Sequence, residues 1–194
     1  MIEAELKKLG LAALILVAVF MASLYGFMAI ITPPIERPLT QAPPPTQAPS
    51  PPPPEGRSSA PDFTLPIYGG GGNLTLYDLK GRPILLAFIT PYCPYSQSEA
   101  PILSQLHRKY GDKMEFILIS DQEEGLSEYI EAGNITFTVV VDEGWEVFAE
   151  YGIQVTPTIL LIDGDMTVKA GFLGLAPLEV LEGVIESELA AMEG

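Results

Sequence analysis

A run of proline sets the limits on what this chain can fold into. Residues 32–59 read TPPIERPLTQAPPPTQAPSPPPPEGRSS. Each proline ring removes an N–H donor and fixes φ, so neither a helix nor a sheet ladder can be kept through such a stretch. It is expected to be a semi-extended linker that advances about 3.1 Å per residue in polyproline II geometry. Its P-x-x-P spacings would also suit a proline-recognition partner, but a spacer is the simpler reading of this composition. Folding is left to the segments on either side.

Upstream, LGLAALILVAVFMASLYGFMAII, residues 9–31, carries no charge. At about 1.5 Å per residue, some 23 apolar residues match the thickness of a bilayer core. The segment is expected to be a transmembrane signal anchor. The competing reading is a cleavable signal peptide, for which Ala22-Ser23 offers small residues, but the apolar part of such peptides runs only about 7 to 15 residues. Lys7 and Lys8 precede the span, whereas Glu3 and Glu5 weigh little in the positive-inside bias. Residues 1–8 are therefore expected in the cytoplasm, and everything after residue 31 outside it.

Downstream, residues 60–194 suffice for one globular domain. A formal charge of −15 with few, scattered basic residues argues against nucleic acid as a partner. Strand-like and helix-like runs alternate, which implies an α/β sheet. DFTLPI and LTLYDL read as short strands around the flexible GGGGN; PILLAFIT is a continuous apolar run of the kind that a strand covered on both faces shows. SQSEAPILSQLHRKYG has helical spacing, with Gly111 as its stop. MEFILIS and TFTVVVD are further strands, and GWEVFAEYG is a short helix. PTILLIDGDMTVKAGF is a hairpin turned at Asp163-Gly164, and APLEVLEGVIESELAAM is a closing amphipathic helix.

The chemistry converges on ITPYCPYSQSEAP, Ile89 to Pro101, which holds the only cysteine of the chain. Cys93 falls just past a buried strand, at the start of a helix, where unpaired N–H groups and the macrodipole favour thiolate over thiol. Free cysteines are often buried and inert, but this one is flanked by Pro91, Tyr92, Pro94 and Tyr95 and does not sit in an aliphatic run. Ser96 occupies the place of a second sulfur, so no internal disulfide can form.

In order and spacing, APDFTLP, LYDLKGRPILLAFITPYCP, FTVVVD and YGIQVTPTILLIDGDMTV together resemble the thioredoxin fold of the TlpA/ResA class, membrane-tethered thiol-disulfide oxidoreductases of the redoxin (AhpC/TSA) superfamily. The resemblance implies a central mixed β-sheet flanked by helices behind an N-terminal transmembrane helix. It places the nucleophile at Cys93 and a cis-proline opposite it at Pro157, with Tyr92, Pro94, Tyr95 and Thr156 lining the substrate edge. Thr156 would then offer its backbone to an extended partner chain. Ser96 stands in the resolving-cysteine position. The class would supply a buried base on the central strand, where this chain has Ala87.

One thiol permits half of a dithiol cycle: a mixed disulfide with a protein, released by a second thiol from the partner or a small molecule. No cofactor is required. Two other readings stand beside it. Thr90-Pro91-Tyr92-Cys93 fits the T-x-x-C core of a one-cysteine peroxidase, although Leu86 replaces the proline of that motif and no arginine follows Arg108. A non-catalytic binding module on the same fold is the third. His107 lacks companions at ligand spacing, so no metal site is expected. Trp145 is expected in the core, and Glu123, Glu124, Glu128 and Glu131 on a solvated helix face.

Overall fold

The computed structural model describes residues 59–193, with side chains to residue 191. The apolar run at 9–31 and nearly all of the proline-rich stretch lie outside these residues. Among the described residues, no helix is long and apolar enough to cross a membrane.

A two-stranded antiparallel hairpin, β1 (Thr64–Pro66) and β2 (Asn73–Thr75), precedes a five-stranded mixed sheet of order β5-β4-β3-β6-β7. Its strands are β3 (Ile84–Ile89), β4 (Glu115–Ser120), β5 (Thr138–Val141), β6 (Thr158–Ile162) and β7 (Val168–Leu173). β3, β4 and β5 run parallel, while β6 is antiparallel to both β3 and β7. Four helices complete the domain: α1 (Pro94–Tyr110), α2 (Leu126–Gly133), α3 (Glu146–Glu150) and α4 (Leu178–Glu193).

β3 is buried along its whole length, which explains its unbroken apolar sequence. Its side chains alternate between two cores. Leu85, Ala87 and Ile89 face a layer with Leu103 and Leu106 of α1 and Leu181 and Ile185 of α4; Leu86 and Phe88 face Leu65, Leu76 and Phe148. A strand filled on both faces and paired on both edges is the most rigid element available, and Cys93 follows four residues after it.

α1 begins at Pro94, whose fixed φ suits the first helical position, with Cys93 as N-cap. Ser96, Glu99, Leu103, Leu106 and Tyr110 form its buried stripe. Gly111 ends it, as expected, with right-handed φ/ψ.

Three local expectations are corrected. LTLYDL is not one strand: β2 stops at Thr75, and Leu76–Leu79 is a 3-10 turn, because Asp62 Oδ1 accepts the Tyr77 N–H at 3.0 Å and Leu76 turns into the core. The β6–β7 connection is wider than a two-residue turn. Asp163 accepts from the N–H groups of Asp165 and Thr167, and Met166 takes the positive φ of 65°. Trp145 is 51 % exposed and not in the core. Asp142 caps α3 through the N–H groups of Glu146 and Phe148, and the tight turn this makes leaves Trp145 outside, its ring against Phe148.

α2 carries Glu128 and Glu131 on its exposed side, with Glu123 and Glu124 in the turn before it. His107 packs between Phe116 and Phe137, with ring centroids 5.3 and 5.1 Å away, and its Nδ1 lies 3.3 Å from Thr136 Oγ1.

Candidate functional site

The end of β3 delivers Thr90 and a buried Pro91, after which the chain tightens. Cys93 N–H donates to Thr90 O at 3.0 Å, and Gln97 N–H to Cys93 O at 2.9 Å. The Gln97 side chain closes the loop through its 3.0 Å bond to Pro91 O. Cys93 is thereby held as N-cap with extended φ/ψ of −72° and 121° and makes no side-chain cap of its own. Its sulfur is partly exposed.

Across from it lies the loop before β6. The Thr156-Pro157 peptide is cis, and Cys93 Sγ donates to Thr156 O at 3.3 Å. Pro157 is buried, and its carbonyl accepts from Gly174 N–H at 2.7 Å, which ties this loop to the end of β7. Cys93 and the Thr156-Pro157 loop, 63 residues apart between Cys93 and Thr156, thus meet at one end of the sheet, where β3 finishes and β6 begins.

The tyrosines form the rim: Tyr92 and Tyr95 are each 56 % exposed, and Pro94 is exposed between them. Val155, just before Thr156, and Leu175, just after Gly174, are exposed hydrophobic residues as well. Beside Tyr92 a groove of about 480 Å³ opens between α1 and α2, with Pro91, Ala100, Pro101 and Tyr129 among its walls.

Burial pushes the Cys93 thiol up, but hydrogen bonds oppose it: the Ser96 N–H, the Ser96 and Thr156 hydroxyls and the Tyr95 N–H favour the anion, and the net position is below that of an ordinary thiol. None of these donors is cationic. Ser96 is fully buried, and its hydroxyl has no other partner among the described residues, which leaves its proton free for a thiolate.

Two carboxylates behind the site escaped the sequence reading. Glu99, fully buried on the same face of α1 as Ser96, accepts from Ala176 N–H at 2.9 Å through Oε2, while Oε1 has no partner; burial raises it to about 7. Its signal was available as a lone carboxylate in the buried helical stripe 96, 99, 103, 106 and 110. Asp121, at the end of β4, has Oδ1 buried and unpartnered while Oδ2 accepts from Thr90 Oγ1 at 2.8 Å. Nothing in its local sequence marks it. Ala87, on β3, is buried in the layer facing α1.

The geometry agrees with the comparisons. The chain is 30% identical over 130 residues to "Thiol-disulfide oxidoreductase ResA" of Bacillus thuringiensis (strain Al Hakam), covering 66% of this chain and 75% of the relative. Among solved structures, a candidate thiol:disulfide interchange protein DsbE from Chlorobium tepidum matches at TM-score 0.64 and 26% identity, over 69% of this chain and 96% of that one. A secreted Mycobacterium tuberculosis disulfide oxidoreductase homologous to E. coli DsbE matches at TM-score 0.58 and 25% identity, over 66% and 95%. These neighbours share the thioredoxin-like arrangement of mixed sheet and helices. The AhpC/TSA family profile covers residues 57–170, from just before the hairpin into β7, and so takes in both the Cys93 loop and the Thr156-Pro157 loop: the chain belongs to the AhpC/TSA family.

Proposed function

We propose that this protein is a thiol-disulfide oxidoreductase of the ResA/DsbE kind that works through the single nucleophile Cys93, held outside the cytoplasm by an N-terminal membrane anchor and a proline-rich tether. The observation that carries the reading is the position of Cys93 Sγ, at a helix N-terminus and 3.3 Å from the Thr156 carbonyl, with every donor around it favouring the anion.

The Cys93 thiolate attacks one sulfur of a substrate disulfide. A new S–S bond joins Cys93 to that sulfur, the old S–S bond breaks, and the other substrate sulfur leaves as a thiolate. A second thiol, from the same substrate or from a small molecule, then attacks the mixed disulfide and releases Cys93 as thiolate. With a thiol of the substrate the net result is isomerisation; with two external thiols it is reduction. Ser96 cannot resolve the intermediate, because a hydroxyl forms no disulfide. The partner chain lies extended along the Thr156 backbone, its side chains against the tyrosine rim.

The peroxidase reading is weaker in this site. The Thr90 hydroxyl, which that chemistry would direct at peroxide, is engaged with Asp121 and Thr156, and no cationic donor faces the sulfur.

The test is trapping. After alkylation of free thiols in intact cells, Cys93 should be recovered in mixed disulfides that reductant releases, and purified protein should reduce a model disulfide only with an added monothiol. Cys93→Ser should lose both. Peroxide consumption that Cys93→Ser abolishes, without any exchange activity, would replace this reading. The tether is tested by fractionation: the chain should stay with membranes through a high-salt wash, and a soluble mature form beginning near Ser23 would defeat that part.

A further inference from the structure

Thr156, Thr90 and Asp121 form a chain of hydrogen bonds that runs from the sulfur into the protein. Thr156 Oγ1 donates to Thr90 Oγ1 at 3.2 Å, and Thr90 Oγ1 donates to Asp121 Oδ2 at 2.8 Å. A hydroxyl has one proton and can donate once. The ionised carboxylate takes the proton of Thr90, so the Thr90 oxygen is left as an acceptor and holds the proton of Thr156. The same Thr156 hydroxyl is one of the donors that face the Cys93 sulfur when it ionises. The thiolate and Thr90 therefore compete for a single proton.

We propose that Asp121 and Thr90 are positioning residues that set the acidity and nucleophilicity of Cys93 by controlling which way the Thr156 hydroxyl points. While Asp121 is ionised, the chain runs Thr156 to Thr90 to Asp121, and the thiolate shares the Thr156 proton with Thr90 and relies mainly on the Ser96 and Tyr95 donors. When Asp121 takes a proton from solvent, that proton is donated to the Thr90 oxygen, Thr90 turns its own proton to Thr156, and Thr156 donates to sulfur. Three O–H groups rotate and no heavy atom has to move. The sulfur gains a hydrogen bond and no proton crosses to it.

Two further observations favour this role over a merely structural bond. Asp121 is buried and its Oδ1 has no partner among the described residues, so the Thr90 hydroxyl is its side-chain partner there, and a proton carried on Oδ2 faces the Thr90 oxygen. Burial, with Asp142 nearby, lifts it above the usual range for an aspartate. The other titratable groups at the site, Glu99 from α1, Tyr129 from α2 and the rim tyrosines Tyr92 and Tyr95, are common to every variant compared below.

The inference rests on the reading of Cys93 as an ionisable nucleophile, and the experiment separates the two. The thiolate midpoint is measured on the full chain in detergent by ultraviolet absorbance and by the pH dependence of iodoacetamide alkylation. Thr90→Val removes the competing acceptor, so the midpoint should fall by about half to one unit and alkylation at pH 6 should rise about three- to tenfold. Thr156→Val removes the donor, so the midpoint should rise. Thr90→Ser keeps the hydroxyl and should restore the wild-type profile, while Asp121→Asn should shift it in the same direction as Thr90→Val. Shifts of Thr90→Val and Thr156→Val in the same direction, or no shift in either, overturn the proposal. Should Thr90→Val fail to fold, Thr90→Ala takes its place, because neutralising Asp121 lowers the midpoint through lost charge repulsion as well. A wild-type midpoint at or above that of a free thiol would instead defeat the reading of Cys93.

Discussion

Cys93 Sγ donates to the backbone oxygen of Thr156 across 3.3 Å, which joins a helix N-terminus to a loop 63 residues further along the chain. The thiol is held by that carbonyl and the thiolate by the donors around it, so the site is built for both ends of the ionisation. The midpoint should lie below the ordinary value of about 8.5. Because the folded thiol is the more acidic, the unfolded chain binds the extra proton between the two midpoints. Stability therefore rises with pH across that interval, and the gain is lost as pH falls through the folded midpoint. Chemical denaturation of wild type and Cys93→Ser at several pH values measures it: the difference between them should shrink toward acid.

Ser96→Cys should convert the site to a dithiol. Residues 93 and 96 are the N-cap and third residue of α1, and the Ser96 side chain is buried beside the sulfur with its Oγ unpartnered. Neighbours at i and i+3 fall within disulfide reach. Mild oxidant should give an intramolecular disulfide, seen as a two-dalton mass loss and the disappearance of both free thiols. A single round of substrate reduction, which leaves the 93–96 pair as a disulfide, should then need no added monothiol, though slowly, since Ala87 supplies no base. A folded variant that stays fully reduced would show that the two side chains do not meet.

Glu99 should make the protein less stable as pH rises from about 4.5 to about 7. Its folded value of about 7 lies above the ordinary 4.5, so the native state holds a proton that the unfolded chain releases over that window. The destabilisation is absent below about 4.5 and complete above about 7, on the order of 3 kcal/mol. Glu99→Gln should flatten this part of the pH–stability curve. Equal slopes for wild type and variant between pH 4.5 and 7.5 would disprove the assignment.

Gly125→Ala should disturb the rim of the site from outside it. Gly125 has φ of +75°, and an added Cβ would lie 2.6 Å from Tyr92 Cζ. The strained backbone costs about 1–3 kcal/mol, and the ring must swing away. The expected result is lower stability together with weaker substrate exchange, while the thiolate midpoint is unchanged because Gly125 donates nothing to the sulfur. Unchanged exchange kinetics would remove Tyr92 from the substrate edge.

Much of the sheet was legible because its signal is local. The unbroken ILLAFI run of β3, the period of α1 and the strands after it all follow from burial patterns that single segments carry. The errors fell where a distant or short-range polar group overrules the pattern: Asp62 ends β2, Asp163 widens the last turn, and the Asp142 cap puts Trp145 in solvent. Within the site, Cys93 and the Thr156-Pro157 loop could be named and set opposite each other through the family resemblance, but the hydrogen bond from Cys93 to the Thr156 carbonyl could not.

By itself the sequence determined that no internal disulfide can form, since it holds a single cysteine, and that a strand-to-helix turn would present that cysteine. Those are matters of composition and local period. Only the tertiary structure decided what surrounds the sulfur. Antiparallel pairing of β6 with β3 sets Thr156 against Cys93, parallel pairing of β4 with β3 places Asp121 within reach of Thr90, and the packing of α1 buries Glu99 against Ala176. Hydrogen bonds between residues 30 to 80 positions apart depend on sheet register, and register is a property of the assembled fold, not of any one segment.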